Sequence, residues 1–187
     1  ATGRWVKEID EIETELSIAI ATANTPIFAE TAAALEETWT KLGVVVSVAQ
    51  YEQSDLVQTV IRPRDYQALL FGTDIGRSLD LYPFWHSSQR ADPGLNVALY
   101  ANISTDANLE SSRTEQDRTT RNQLLTTIAE EITAETPAVF LFNPSAVYVV
   151  DNDMTIVPVT GIHRVSQRFA TIKDWFTKEE DLWPMFR

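Results

Sequence analysis

No cysteine occurs in the 187 residues. Disulfides, thiolate zinc sites and a cysteine nucleophile are excluded with it. Histidine is nearly as scarce, with only His86 and His163 present, so a three-histidine metal site cannot be built. Positive charge is also short: 15 Lys and Arg stand against 27 Asp and Glu, a net charge of −12. Such a chain repels phosphate backbones, which argues against general nucleic-acid binding. Long apolar runs are missing too. The longest uncharged stretch, residues 136–150, is interrupted by Asn143-Pro144-Ser145 and is too short to span a bilayer. No signal peptide is visible, and a start at Ala1 rather than Met reads as a processed or excised chain.

What is present fits a globular α/β domain. The hydrophobic fraction is 44 %, too high for a disordered chain. A chain of this length fits one domain, or one and a half, and buries enough surface to need no staples. Residues 1–15 are polar and acidic and read as a hinge segment or short edge element. Residues 16–22 alternate large and small side chains, the mark of a strand. Thr25-Pro26 then opens a helix, with Thr25 as cap and Pro26 in the first turn. Phe28, Leu35, Trp39 and Leu42 form its buried stripe, and Gly43 suits a left-handed C-terminal cap. Residues 44–48 are β-branched and short, a second strand. Strand, helix and strand in this order form a βαβ unit.

Ser54 or Asp55 caps a second helix through Leu56, Val57, Val60 and Ile61, which Pro63 ends. Residues 66–72 read as a third, central strand because nearly all are apolar. Residues 72–105 are irregular, and a loop-rich segment of that length is usually functional. Thr105 or Asp106 caps a short helix, and Ser112 or Thr114 starts a longer one carrying Leu124, Leu125, Ile128 and Ile132 up to Pro137. Residues 138–142 and 146–150 read as two strands joined by a turn. The segment 151–187 returns as an aromatic-rich tail with Trp175, Phe176, Trp183 and Phe186. These tail aromatics either dock on a partner domain or cover this one.

Signatures of chemistry are few. There is no G-x-S-x-G elbow, no phosphate or dinucleotide loop and no H-E-x-x-H. Asp151-Asn152-Asp153 begins like a calcium loop but lacks its glycine and distal glutamate. His86 beside Ser87 and Ser88 suggests a hydrolase only if an acid stands behind the base in space, and a loop histidine making polar contacts is the simpler reading. Asp74 follows a buried strand at its C-terminal end, where open α/β sheets place ligands. Both Asp74 and Asp80 can hold an amine there, or simply cap the next turn. Tyr82, Phe84, Trp85 and Tyr100 share the irregular region, as pocket lining or as a satellite core.

Four stretches together resemble a known family. They are Leu16-Ser17-Ile18-Ala19-Ile20-Ala21-Thr22 with residues 29–44; Asp65-Tyr66-Gln67-Ala68-Leu69-Leu70-Phe71-Gly72; Leu81-Tyr82-Pro83-Phe84-Trp85-His86-Ser87-Ser88 with Asn96 and Tyr100-Ala101-Asn102; and Glu130-Glu131-Ile132 through residues 136–142 to Val147-Tyr148-Val149-Val150. In this order they resemble the C-terminal lobe of extracellular solute-binding proteins of the oligopeptide/dipeptide type (family 5), the capture subunits of ABC importers.

The resemblance implies a periplasmic-binding-protein-like lobe of type II, with a mixed, mostly parallel sheet flanked by helices. Residues 1–15 become the hinge, 16–150 the ligand-binding lobe and 151–187 the return segment. It implies capture of a solute, most simply a peptide, together with an N-terminal lobe of the same protein and an importer permease. No cofactor, no resident metal and no catalysis are expected. The implied location is extracytoplasmic, in a periplasm or as a cell-surface lipoprotein. The ligand-binding residues it implies are Thr73, Asp74, Asp80, Tyr82, Trp85, His86 and Tyr100, with Asp74 holding a free amino group. Two other readings remain open at this point, a carboxylate-dependent hydrolase using Asp74, Asp80 and His86 and an interaction domain using the terminal aromatics.

Overall fold

A computed structural model describes residues 3–9, 11–76, 78–145, 147–159 and 165–177. The chain forms two compact units, residues 1–73 with 80–138 and residues 74–79 with 139–187.

The first unit opens with a hairpin of β1 (Val6–Ile9) and β2 (Ile12–Glu15), antiparallel with Val6 opposite Glu15. The acidic first residues are therefore an ordered ribbon, tied on by Trp5 N–H to the Gly43 carbonyl (3.0 Å) and Leu16 N–H to the Trp5 carbonyl (2.9 Å). Gly43 has φ +89°, and a Cβ there would lie 2.5 Å from the Gly3 carbonyl oxygen. The turn after the first helix thus accepts only glycine without displacement.

The βαβ unit stands as expected. β3 (Ser17–Ala23) and β4 (Val45–Tyr51) are parallel neighbours, joined by α1 (Pro26–Lys41). Thr25 occupies the N-cap position, but its hydroxyl makes no capping bond and is buried without a partner. The expected Thr25 cap is thus corrected: its backbone carbonyl, accepting from Ala29 N–H at 2.8 Å, starts the helix.

β5 (Ala68–Leu70) pairs in parallel with β3, so the order is β4-β3-β5. The sequence placed residues 66–72 at the centre, but β3 is the middle strand. Its composition explains this. Ala21 and Ala23 pack on Leu56, Val60 and Ile61, while Ile20 packs on Ala32 and Leu70. Alternation of small and branched residues buries both faces, which a central strand requires.

The second helix also differs. α2 (Gln53–Asp55) is N-capped at Glu52, without a side-chain bond, and runs into a π-helical turn over Leu56–Ile61. Bonds such as Arg62 N–H to the Val57 carbonyl (3.0 Å) span five residues. The wider turn brings Leu56, Val60 and Ile61 onto one buried face. Neither Ser54 nor Asp55 serves as the cap.

The irregular segment contains α3 (Tyr82–Trp85), and at its end come α4 (Ile103–Thr114) and then α5 (Arg118–Glu135). The caps of the two long helices are Asn102 and Asp117, not Thr105, Asp106, Ser112 or Thr114. Asn102 Oδ1 accepts from the N–H groups of Ser104 (2.8 Å) and Thr105 (3.2 Å), and Asp117 Oδ2 from Thr120 N–H (2.7 Å). Those bonds hold the Asp117 carboxyl below the usual range, Thr120 N–H first among them. Leu109, Ile128 and Ile132 close the interface between α4 and α5 with Tyr100.

In the second unit, β6 (Met154–Thr155) pairs antiparallel with β7 (Phe176–Thr177). Tyr148, Phe169 and Trp175 form an aromatic cluster with centroids 5.8–6.2 Å apart, and the Arg168 guanidinium lies 4.3 Å from the Phe169 ring centroid. Among the described residues, 138–142 and 147–150 form no regular strand, which corrects the expected strand pair. Val147 and Val149 are 86 % and 85 % exposed. β-Branched composition favours an extended backbone, but only a ladder partner makes it a strand. The tail residues Trp183 and Phe186 lie outside the described residues.

Candidate functional site

The chemistry-bearing residues of the first unit converge where segment 80–89 meets α4. The sequence places Asp106, Glu110 and Arg113 at i, i+4 and i+7, hence on one face of α4. Each is engaged by the loop. Asp106 accepts from Ser87 N–H (2.9 Å) and from the Ser87 hydroxyl. Glu110 Oε1 lies 3.4 Å from His86 Nε2. Arg113 pairs with Asp80 Oδ2 at 3.3 Å, and its guanidinium sits 4.4 Å from the Tyr82 ring centroid. Asp80 Oδ1 in turn accepts from Tyr82 N–H at 3.2 Å. Half-exposed ion pairs of this kind contribute little stability singly, on the order of 0–1 kcal/mol, so their effect here is orientation.

Tyr82 stacks on His86, with centroids 4.1 Å apart and planes 23° from parallel. His86 is buried. Its Nδ1 contacts the Ser88 hydroxyl at 2.8 Å and accepts from Ser88 N–H at 3.1 Å. The Tyr82 hydroxyl lies 3.3 Å from Ser88 Oγ. Behind this layer, Trp85 meets Tyr100 edge-on at 6.1 Å, and Tyr100 is buried among Leu109, Ile128 and Ile132. Burial pushes the Tyr100 phenol up from its usual value. Its hydroxyl meets Thr105 Oγ1 (3.1 Å), which donates to Glu131 Oε2 (2.7 Å). Bonds to Glu131 from Ser104 first, then Thr105, hold that carboxyl low.

Asn96 organises the loop between these elements. It is fully buried. Its Nδ2 donates to the carbonyls of His86 (3.1 Å) and Tyr100 (2.9 Å), and its Oδ1 accepts from Tyr100 N–H (3.1 Å).

The expected ligand residues therefore fall into three groups. Asp80, Tyr82 and His86 come together and are committed to α4. Trp85 and Tyr100 come together within the apolar cluster. Thr73 is exposed just beyond β5, at the C-terminal end of the parallel sheet. Asp74 belongs to the second unit, is exposed, and accepts from Gly76 N–H at 2.8 Å across a tight turn. Sequence reasoning missed Asp106, Glu110 and Arg113, whose helical spacing was a usable signal. It also missed the roles of Ser88 and Asn96, for which no spacing signal exists.

The fold has known counterparts. The chain is similar in structure to the oligopeptide-binding protein AppA from Bacillus subtilis, solved with a nonapeptide: TM-score 0.68, 22 % identity, 91 % of this chain and 33 % of that one. It is also similar to NikZ from Campylobacter jejuni, solved with Ni(L-His), with TM-score 0.56 and 19 % identity over 71 % of this chain and 28 % of that one. A third is the ABC transporter-associated periplasmic binding protein DppA from Helicobacter pylori, solved with the peptide STSA, with TM-score 0.56 and 20 % identity over 65 % of this chain and 24 % of that one. The chain spans a third or less of each of these proteins. No family model matches it, and no curated protein matches it with significance. The expected fold is thus established: a parallel sheet flanked by helices, as in periplasmic binding proteins. Its structural counterparts are binding proteins. Among the described residues no helix is long and apolar enough to cross a membrane.

Proposed function

We propose that this chain is one lobe of a two-lobed receptor that captures peptides for an ABC importer. The observation that carries the reading is the likeness to AppA, a peptide-bound protein, over 91 % of this chain. DppA, also solved with a peptide, supports the same ligand class. The receptor works outside the cytoplasm with a second lobe and a permease. Capture is a population shift: the ligand closes the lobes only by as much as it prefers the closed state. The segment after β5 supplies the contact residues. Thr73 offers a hydroxyl, and Asp74 a carboxylate for the peptide's free amino group. Within the first unit, Asp80, Tyr82 and His86 offer further polar and aromatic contacts, and Trp85 and Tyr100 brace them from the apolar side.

A charge-assisted hydrogen bond of this kind contributes about 1.5–3 kcal/mol, or roughly 10- to 100-fold in affinity. In the polypeptide that carries both lobes, Asp74→Ala is expected to weaken binding of free-amine peptides by that factor in calorimetric titration. N-acetylated peptides should bind the variant and the parent alike. Equal affinity of both proteins for free-amine peptides would remove Asp74 from the site.

A further inference from the structure

We propose that Ser88 is a base-activated nucleophile able to take an acyl group from a small carboxylic ester, an activity separate from solute capture and independent of that reading. The Ser88 residue is exposed, while its partner His86 is buried. His86 Nδ1 accepts from Ser88 N–H at 3.1 Å, so Nδ1 carries the lone pair and the ring proton sits on Nε2. Gln89 Nε2 donates to Ser88 Oγ at 3.1 Å; with the Tyr82 hydroxyl, 3.3 Å away, as a second donor, the Ser88 hydroxyl proton goes to Nδ1 at 2.8 Å, which shares its lone pair with Ser88 N–H. On the far side of the ring, Nε2 is buried and makes no hydrogen bond. It faces Glu110 Oε1 at 3.4 Å and Asp106 Oδ1 at 4.0 Å. Tyr82, stacked at 4.1 Å, fixes the ring plane.

Serine, base and acid thus stand in succession, the arrangement that adjacent loop residues alone could not supply. Here α4 delivers the acid. The contact to Glu110 is long, and such contacts tighten when the site is loaded.

The step balances as follows. Ser88 Oγ bonds to the ester carbonyl carbon as its proton passes to His86 Nδ1, and the carbonyl π pair moves onto oxygen. Gln89 Nε2 and the Tyr82 hydroxyl, 3.1 and 3.3 Å from Ser88 Oγ, are the donors beside the nucleophile that would turn to that oxyanion. The tetrahedral adduct collapses with cleavage of the bond to the alcohol, which leaves with the proton from Nδ1. Water oxygen then bonds to the acyl carbon as its proton passes to Nδ1, the Ser88 Oγ–acyl bond breaks to release the acid, and Oγ takes the proton back from Nδ1. Nothing is oxidised or reduced. Glu110 acts through His86 and is a positioning residue.

The His86 ring also caps the short turn Ser87–Gln89 through Ser88 N–H. A cap needs neither the hydroxyl contact nor Glu110, and this separates the two roles. The test treats the whole chain with an alkyl fluorophosphonate and maps the adduct by mass spectrometry. Exposed Ser111, whose hydroxyl donates to the Ala107 carbonyl, is the internal reference. Ser88 is expected to label at least tenfold faster than Ser111, with hydrolysis of 4-nitrophenyl acetate lost in Ser88→Ala. His86→Gln should slow labelling at least tenfold. Because that variant alters a buried residue, Glu110→Gln on an exposed carboxylate is the second arm, expected to slow labelling several-fold at an unchanged melting temperature. Labelling of Ser88 at the Ser111 rate overturns the proposal, as does full-rate labelling in both His86→Gln and Glu110→Gln.

Discussion

Asn96→Leu is expected to destabilise the first unit by roughly 3–5 kcal/mol, since each buried polar group left unsatisfied costs about 1–3 kcal/mol. The substitution keeps the branching at Cγ, adds the bulk of two methyl groups and removes the hydrogen bonds. It strands the Tyr100 carbonyl and Tyr100 N–H and removes one of the two donors to the His86 carbonyl, which keeps Gln89 N–H at 3.0 Å. Asn96 is 0 % exposed, so water cannot replace it without entering the core. The measurement is urea unfolding, with the midpoint falling and the slope unchanged. The same variant should lose the fixed geometry of segment 86–89, seen as faster amide exchange of Ser88 and Gln89. A shift below about 1 kcal/mol, the surface-substitution range, would mean that the loop does not depend on Asn96.

Leu109→Ala should cost about 3–4 kcal/mol, within the range for fully buried leucine. Leu109 is 0 % exposed and meets Ile128, Ile132 and Tyr100. Its loss opens a cavity under α4, the helix whose outer turns hold Asp106, Glu110 and Arg113 against segment 80–89. The stability loss should therefore carry a local signature. The ring-stacked environment of Tyr82 and His86 should relax, visible as changed ring proton shifts, while β3 and β4 keep theirs. Uniform shift changes across the sheet would contradict this division of the core.

Much of the fold was legible in the sequence because the βαβ unit is locally encoded. Alanine alternating with isoleucine in residues 18–21, Pro26 in the first turn and Gly43 after the last all point to one answer. The helix caps were not legible. Asn102, Ser104, Thr105 and Asp106 are four capping types within five residues, and the choice is tertiary: Thr105 goes to Glu131 and Asp106 to Ser87, which leaves Asn102 at the cap. Residues 138–150 carry strand composition, yet pairing is a property of the partner and not of the segment. The site was half legible. Within the loop 72–105, the structure brings Asp80, Tyr82 and His86 together, while Thr73 and Asp74 stand apart from them. Sequence could not tell wall from core, and the structure puts Trp85 and Tyr100 in the core. Nor could it bring Glu110 to His86, because that contact depends on how α4 packs back over the loop.

The most direct test of the central claim is a titration of the isotopically labelled chain with di- to pentapeptides, followed by backbone amide shifts. One lobe holds half a site, so affinity in the millimolar range is expected, about −4 kcal/mol. The account predicts saturable shifts clustered in residues 72–89. Peptide at several millimolar that moves no amide, or moves them evenly over the surface, would contradict peptide capture by this lobe.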